Sequence, residues 1–248
     1  MIADTTAGAS PGRLLTLPGV YAPQDDTGLL ARALGREDIG PDTDVLDLGT
    51  GSGALAVHAA RLGARVTAVD IAWRAVLTAR LNALAARQHI TVLRGDLAEA
   101  VPGRSYDVVA SNPPYVPSPS CRLPRHGAAR SWDAGQDGRA LVDRICDAAP
   151  DVLRPGGVLL MVHSALCGTD DTLRRLSKAG LETSVADRAL IPFGPVLRSR
   201  RAFLRKQGLL GDDLSGGNSG DDAEGADGGD GGDGGDMEEL VVIRAERT

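Results

Sequence analysis

The sequence is poor in aromatic residues and in lysine, and it has no long apolar run. Phe, Trp and Tyr make up 3% of its 248 residues, so a core must be built from Leu, Val, Ile and Ala. Lys178 and Lys206 are the only lysines, which indicates a biased genome more than a binding surface. No stretch approaches the roughly 20 apolar residues of a membrane helix. Residues 1 to 11 lack the basic and apolar regions of a signal peptide, so we expect neither secretion nor a membrane span.

Cysteine is also scarce. The three cysteines, Cys121, Cys146 and Cys167, are odd in number, widely spaced and form no C-x-x-C pair. This pattern argues against a disulfide framework and against a zinc site, and it is typical of a protein from a reducing compartment. We therefore predict a cytoplasmic protein with no structural metal.

Basic residues are absent from one segment, residues 211 to 236. It carries eight Asp and one Glu in a Gly-rich sequence, so the rest of the chain has a net charge of +3 although the whole chain has −6. Such a segment has almost nothing to bury and is predicted to be a disordered insertion, either a passive spacer or an acidic interaction arm. A strand-like run follows it, so we expect the insertion to join two paired strands. We predict a flexible N-terminus (1–18) and one domain (19–210 with 237–248).

The body of the chain alternates between strand and helix patterns. Seven strand candidates are present, and several are almost entirely apolar, as in a parallel sheet covered by helices on both faces. The third helix has an apolar stripe at Val76, Leu77, Leu81 and Leu84, which predicts its buried face. The pattern predicts an α/β fold with a doubly wound, mostly parallel seven-stranded sheet and an antiparallel C-terminal strand.

A glycine-rich turn, Gly49-Thr50-Gly51-Ser52-Gly53, follows the first predicted strand. Glycines at this place let the backbone approach a ligand and turn sharply into a helix. The spacing departs from the dinucleotide pattern G-x-G-x-x-G. By itself the loop indicates either a nucleoside site or only a tight turn.

Acidic residues stand at three successive strands, and carboxyl ends of parallel strands meet at one edge of a sheet. Asp70, followed by Ile71, can accept both hydroxyl hydrogens of a ribose. Asp96 can accept from an adenine amino group while Leu97 contacts the ring. Asp47 lies inside an apolar strand, where a carboxylate needs partners such as a cationic ligand group or backbone N–H groups.

The fourth strand ends in Asn112-Pro113-Pro114-Tyr115. An amide or aromatic amine is a weak nucleophile, so its methylation depends on positioning and electrostatics. The side-chain carbonyl of Asn112 and the backbone carbonyl of Pro113 can accept from the two N–H groups of such a nitrogen. The prolines fix the backbone, and Tyr115 offers a flat face for stacking. After the glycine loop, this turn predicts methyl transfer from S-adenosylmethionine to a planar nitrogen.

These motifs resemble the HemK-like glutamine N5-methyltransferases, class I enzymes that modify the Gly-Gly-Gln loop of translation release factors. The segment from Val20 to Leu30 is similar to the V-Y-x-P-x-x-D-T-x-L-L opening of their short archaeal and eukaryotic branch. The resemblance implies a Rossmann-like class I methyltransferase domain, a release-factor substrate and, for some members, a small activator subunit. It also implies that Asn112 to Tyr115 grip the glutamine side chain. The cofactor residues that we predict are Thr27, Asp47, Gly49, Thr50, Gly51, Gly53, Asp70, Ile71, Asp96, Leu97 and Asn112.

Other interpretations remain open. The same turn suits an exocyclic amine, so N6-adenine methylation of DNA or RNA is an alternative, although no strong basic stripe is visible. A small-molecule substrate is a further alternative, as is a non-catalytic module that only binds the cofactor. The stretch from Ser118 to Gln136 is long for a connection and is either a substrate lid or a solvated loop.

Overall fold

A seven-stranded sheet runs through the computed structural model, which describes residues 14–124, 127–210 and 236–248. The strand order is β3-β2-β1-β4-β5-β7-β6, with neighbours parallel except for β7, which is antiparallel to both of its neighbours. This arrangement confirms the predicted fold class, including the antiparallel C-terminal strand. The strands are β1 Asp44–Leu48, β2 Arg65–Asp70, β3 Ile90–Arg94, β4 Tyr106–Ser111, β5 Leu153–Ser164, β6 Leu181–Pro192 and β7 Met237–Arg247.

The helices of the described chain form two groups around this sheet. The first group contains α1, α2 and α3, which contact one another in series, and the second contains α4 and α5. Two further short helices, which the sequence patterns did not predict, follow β6. The helices are α1 Asp25–Leu34, α2 Ala54–Arg61, α3 Trp73–Ala85, α4 Ala140–Val152, α5 Thr169–Lys178, α6 Pro195–Ser199 and α7 Arg201–Lys206.

The centre of the sheet brings two distant parts of the chain together. β1 and β4 are parallel neighbours, and Leu48 at the end of β1 is in register with Ser111 at the end of β4. The Ser111 hydroxyl donates a hydrogen bond of 2.8 Å to the Leu48 carbonyl oxygen. The glycine loop after β1 and the Asn-Pro-Pro-Tyr turn after β4 therefore leave the sheet side by side.

The C-terminal half of the sheet depends on β7, which lies between β5 and β6. β6 and β7 pair from Leu181↔Arg247 to Pro192↔Met237, so the strand before the acidic segment and the strand after it are partners, with α6 and α7 between β6 and the segment. Residues 211–235, predicted to be a disordered insertion, lie outside the described residues. Asp236 is described: its carbonyl accepts from the Phe193 N–H, and its carboxylate is ion-paired with Arg201.

The predicted buried stripe of α3 is wrong except at Val76. Leu77, Leu81 and Leu84 are exposed, whereas the helix buries mainly small residues. The reason is that α3 approaches the glycine loop closely, with the Ala79 Cα only 3.0 Å from where a Cβ on Gly53 would lie. Side chains as large as leucine have no room on that face, so the leucines point outward.

The inner face of α3 also holds the chain that precedes α1. The buried Asn82 side chain bonds both the N–H and the carbonyl of Leu15, each at 2.8 Å. Arg74 donates to the Pro18 carbonyl. Residues 1–13 of the predicted flexible N-terminus lie outside the described residues. Within the described ranges, no helix has both the length and the apolar character needed to cross a bilayer.

The close approach of α3 generates a prediction for Gly53. Gly53 and Gly103 both have positive φ (83° and 69°), but a Cβ would meet Ala79 only at Gly53 and nothing at Gly103. We expect Gly103→Ala to lower the free energy of unfolding by about 1 kcal/mol, from backbone strain alone. Gly53→Ala should cost about 2–4 kcal/mol, because overpacking adds to the strain. Urea denaturation checks both values, and equal losses would show that α3 shifts at no cost.

Candidate active site

The predicted site residues meet in one open cavity of about 1500 Å³ at the carboxyl edge of the parallel strands. Walls of this cavity come from the turns after β1, β2, β3 and β4, the start of α1 and the stretch after the Asn-Pro-Pro-Tyr turn. Asp47 and Gly53 lie outside the lining. The predicted residues that line it are Thr27, Gly49, Thr50, Gly51, Asp70, Ile71, Asp96, Leu97, Asn112, Pro113, Pro114 and Tyr115.

Backbone hydrogen bonds attach the glycine loop to β2, and no side chain covers the loop at Gly49 and Gly51. The N–H groups of Gly49 and Thr50 both donate to the Val69 carbonyl at 2.9 Å. Gly49 and Gly51 have φ of 72° and 55°, and a Cβ on either would meet no atom closer than 3.9 Å. The space that side chains would fill is thus open to a ligand, as expected for a loop that cradles a nucleoside. Gly53, by contrast, packs against α3.

Asp47 lies directly beneath this loop. Its carboxylate is 1% exposed, and its Oδ2 accepts from the Thr50 hydroxyl at 2.6 Å and from the Ala56 N–H at 3.1 Å. Its Oδ1 has no hydrogen-bond partner among the described residues. Burial raises the pKa of Asp47 to about 7. A buried oxygen without a partner fits a cationic group such as the ammonium of a methionine moiety.

Asp70 ends β2 in a position that suits a ribose. Its Oδ1 accepts from the Ala72 N–H at 2.8 Å, and its Oδ2 accepts from the Gly51 N–H at 3.0 Å. A carboxylate has about four lone-pair sites, so acceptor capacity remains for two hydroxyl groups. Burial raises its pKa, and the positive charge of Arg130 opposes this shift.

The third strand end differs in detail from the prediction. Asp96 is ion-paired through Oδ2 with Arg144 of α4 at 3.0 Å, which leaves Oδ1 to accept from an adenine amino group. Leu97 has a φ of 48°, uncommon for a side chain of this size, and it lines the cavity. Asp96 and Leu97, together with the uncovered glycine loop and Asp70, fit the nucleoside part of S-adenosylmethionine.

The Asn-Pro-Pro-Tyr turn begins where β4 ends. The Asn112 Nδ2 donates to the Thr27 Oγ1 at 3.3 Å, so the Asn112 carbonyl oxygen is turned away from Thr27. The Tyr115 ring is mostly buried, and its hydroxyl donates to the Asp26 Oδ2 at 3.1 Å. Tyr115 lines the cavity, but with 8% of the residue exposed it offers little surface for the predicted stacking.

The predicted lid forms the outer wall of the cavity. Its base is a narrow backbone ladder: the Val116 N–H donates to the Trp132 carbonyl at 2.7 Å, and the Ala134 N–H donates to the Val116 carbonyl at 3.1 Å. Arg200 braces this base by an ion pair of 2.6 Å with Asp133. Arg125 and His126 lie outside the described residues. The lid residues that line the cavity include Arg122, Leu123, Pro124, Gly127, Arg130, Ser131 and Trp132.

Several residues near the site carried no clear signal in the sequence. Tyr21 and Asp26 lie within the opening segment that we quoted only for its resemblance, and Arg144 is an ordinary surface residue by pattern. His163 is fully buried in β5, outside the cavity lining, with its Nδ1 2.8 Å from the Ser164 carbonyl oxygen. Among the described residues, no cluster of three or more His, Cys, Asp and Glu could hold a metal ion.

Comparisons with known proteins also indicate a methyltransferase. Residues 11–122 match the family model of the methyltransferase small domain. The chain is similar in fold to the protein in the solved complex of Mtq2 and Trm112 from E. cuniculi, described as responsible for the methylation of the eRF1 translation termination factor. That likeness has a TM-score of 0.60 at 23% identity and covers 93% of this chain and 99% of the other.

Two curated relatives are closer in sequence. A protein of Methanocaldococcus jannaschii that carries the name of a protein N5-glutamine methyltransferase is 34% identical over 177 residues, which are 71% of this chain and 88% of the relative. The release factor glutamine methyltransferase of Bordetella pertussis is 40% identical over 156 residues, 59% of this chain and 57% of the relative. This chain thus spans little more than half of the bacterial enzyme. The identity to the archaeal protein over most of its length shows that the chain belongs to the protein N5-glutamine methyltransferases, a family of S-adenosylmethionine-dependent enzymes.

Proposed function

We propose that this enzyme methylates the side-chain amide nitrogen of a glutamine in a translation release factor. The observation that carries the proposal is the Asn112 carboxamide, whose NH2 group is bound by Thr27 and whose carbonyl is left for a substrate. Asn112 lines the cavity that fits the cofactor. The cytoplasmic location predicted from the cysteines suits a substrate that acts in translation.

The chemistry follows from the two acceptors on the turn. The Asn112 side-chain carbonyl and the Pro113 backbone carbonyl accept from the two N–H groups of the glutamine amide. They direct the nitrogen toward the sulfonium methyl group and favour the positive charge that develops on it. S-adenosylmethionine, when bound, would supply the methyl group from its sulfonium and be left as a neutral thioether, while the extra proton would leave the amide nitrogen for water. No strong base is required before the transfer.

The names of the relatives support the choice of a protein glutamine over a nucleic acid base. The same turn would hold an adenine amine equally well, so this alternative enters the test directly. Purified release factors, DNA and RNA are incubated in parallel with labelled S-adenosylmethionine. Label on the glutamine of a Gly-Gly-Gln loop supports the proposal, and label on nucleic acid alone would replace it with the adenine reaction.

Substitution of Asn112 tests its catalytic role. We expect Asn112→Ala to lower kcat on the order of 10²-fold with little change in cofactor affinity, because an acceptor aimed at the reacting amine is lost. Asp70→Ala should give the opposite result, a weaker cofactor affinity from loss of the ribose acceptor. Steady-state kinetics and calorimetric cofactor titration separate the two effects. Unchanged turnover in Asn112→Ala would remove this residue from the mechanism.

The raised pKa of Asp47 predicts how cofactor affinity depends on pH. Ionised Asp47 attracts the ammonium group of the methionine moiety, whereas the protonated form does not. Since its pKa in the free protein is about 7, ionisation grows as pH rises through 7. The Kd for S-adenosylmethionine should therefore fall between about pH 6 and pH 8, by at most about tenfold per unit.

Asp47→Asn provides the control, because it keeps the shape of the side chain but cannot ionise. Any effect of pH on the cofactor itself is the same for the variant and for wild type. The difference between the wild-type and Asp47→Asn profiles isolates the carboxyl. Parallel profiles would mean that Asp47 does not face the cofactor's ammonium group.

We further propose that a small partner subunit covers the outer face of α3. Trp73, Leu77, Leu81 and Leu84 form one exposed apolar stripe on this helix, and β3 at the sheet edge has an unpaired side in the described chain. The Mtq2 structure was solved as a complex with Trm112, which supports a partner of this kind. A single polar replacement in the stripe should disrupt an apolar interface.

Co-expression with the Trm112-like protein of the same organism tests this partner. We expect a stable pair on size exclusion, lost in Leu81→Glu but retained in Lys178→Glu, a control at an exposed position of α5. Monomeric wild-type protein in the presence of this subunit, with full activity, would exclude the proposal.

A further inference from the structure

One carboxylate, Asp26, receives hydrogen bonds from two tyrosines behind the catalytic turn. Asp26 lies in the first turn of α1 and is 3% exposed. Its Oδ2 accepts from the Tyr21 hydroxyl at 2.7 Å and from the Tyr115 hydroxyl at 3.1 Å. The second bond links Asp26 directly to the last residue of the Asn-Pro-Pro-Tyr turn.

The other oxygen of Asp26 leads to the first residue of the same turn. Its Oδ1 accepts from the Thr27 N–H at 2.5 Å and from the Thr27 hydroxyl at 3.2 Å. The Thr27 Oγ1 in turn accepts from the Asn112 Nδ2 at 3.3 Å. Asp26 therefore reaches both ends of the turn, Tyr115 through one bond and Asn112 through Thr27.

The order of donors along this chain has a consequence for Asn112. A carboxylate can only accept, so the single hydroxyl proton of Thr27 points to Asp26. The Thr27 oxygen can then only accept from its other neighbour. Asn112 must present its NH2 group to Thr27 and not its carbonyl. The carbonyl is thereby held on the opposite side, where the substrate amide would bind.

We propose that Asp26 is a positioning residue that sets the orientation of the Asn112 carboxamide through Thr27. The inference rests on the proposed function, since it explains how the acceptor for the substrate N–H group is kept in place. If Asp26 only capped the start of α1, its bond to the Thr27 N–H would be sufficient. Its three further bonds, to two tyrosine hydroxyls and to the Thr27 hydroxyl, are not required for capping.

A second buried carboxyl group, that of Glu238, interacts electrostatically with Asp26. Glu238 is 5% exposed, and its Oε1 has no hydrogen-bond partner among the described residues. Burial, together with the charge of Asp26, raises the pKa of Glu238 to about 7. Two neighbouring carboxyl groups oppose each other's ionisation. Unlike Glu238, Asp26 has a hydroxyl or N–H donor on each of its two oxygens.

Asp26→Asn tests this role because it keeps the shape of the side chain and changes its donor pattern. The Thr27 N–H keeps the amide oxygen on its side, so the new NH2 group faces the tyrosine hydroxyls. The Thr27 hydroxyl thereby exchanges a charged acceptor for a weaker neutral one and can turn to donate to the Asn112 carbonyl instead. We expect kcat on the substrate that wild type methylates to fall at least about tenfold. The Kd for S-adenosylmethionine should stay within about threefold.

Asp25→Asn is the matched control, since it makes the same chemical change in the same helical turn at an exposed position. It should leave kcat unchanged. Adding Asp26→Asn to Asn112→Ala should cost nothing further, because the carbonyl that Asp26 positions is already gone. Equal rates for Asp26→Asn and Asp25→Asn, or full additivity with Asn112→Ala, would overturn the inference.

Thr27→Val covers the case in which Asp26→Asn fails to fold. It removes the intermediate hydroxyl without changing charge, and a loss of kcat like that expected for Asp26→Asn supports the same chain of bonds, whereas a wild-type rate overturns it. The proposed function is judged separately, on wild type alone. If wild type labels no glutamine, the proposed function fails; if it does and Asp26→Asn keeps the rate, only the role of Asp26 fails.

Discussion

The active site depends on the parallel pairing of β1 with β4. This pairing places Leu48 opposite Ser111, so that the glycine loop and the Asn-Pro-Pro-Tyr turn, some sixty residues apart in sequence, leave the sheet at neighbouring points. The Ser111 hydroxyl fixes the ends of both strands to each other. A slip of one residue would reverse the direction of every side chain on one strand and separate the nucleoside loop from the catalytic turn. The central strands are fully packed by apolar neighbours, which makes such a slip costly.

The site concentrates buried carboxylates that a purely structural fold would avoid. Asp47, Asp70 and Glu238 all have raised pKa values because burial penalises their charge. Each is tied to hydroxyl or backbone groups, yet Asp47 and Glu238 keep one oxygen without a partner among the described residues. Groups of this kind lower stability in the absence of ligand and mark places where binding supplies the missing partner. For Asp47 a cationic group would be such a partner, and we propose that the ammonium group of the cofactor fills this role.

Sequence patterns predicted the strands of the sheet and many residues that line the cavity, because strands follow from local apolar patterns and the carboxyl ends of parallel strands meet at one edge. The order of the strands could not be predicted in this way. They were wrong about α3: periodicity shows that leucines share a face but not whether that face is buried, and the space beside Gly53 admits only alanine. Asp96 was assigned a ligand role from its strand end, while its ion pair with Arg144 depends on the position of a distant helix. The link from Asp26 to Asn112 joins residues more than eighty apart, and only the position of the start of α1 beside the turn after β4 reveals it.

Specificity cannot come from the catalytic turn itself. In the proposed mechanism the carbonyl groups of Asn112 and Pro113 accept from any planar NH2 group, whether it belongs to an amide or to a base, and the orientation proposed through Thr27 is the same for both. Discrimination would therefore come from contacts with the rest of the substrate. We propose that these contacts lie on the segment that carries Arg122 and Trp132, because it lines the same cavity as the turn. The ion pair of Asp133 with Arg200, which lies between α6 and α7, holds the base of this segment, so the proposal separates the orientation of the nitrogen at the sheet edge from the choice of substrate.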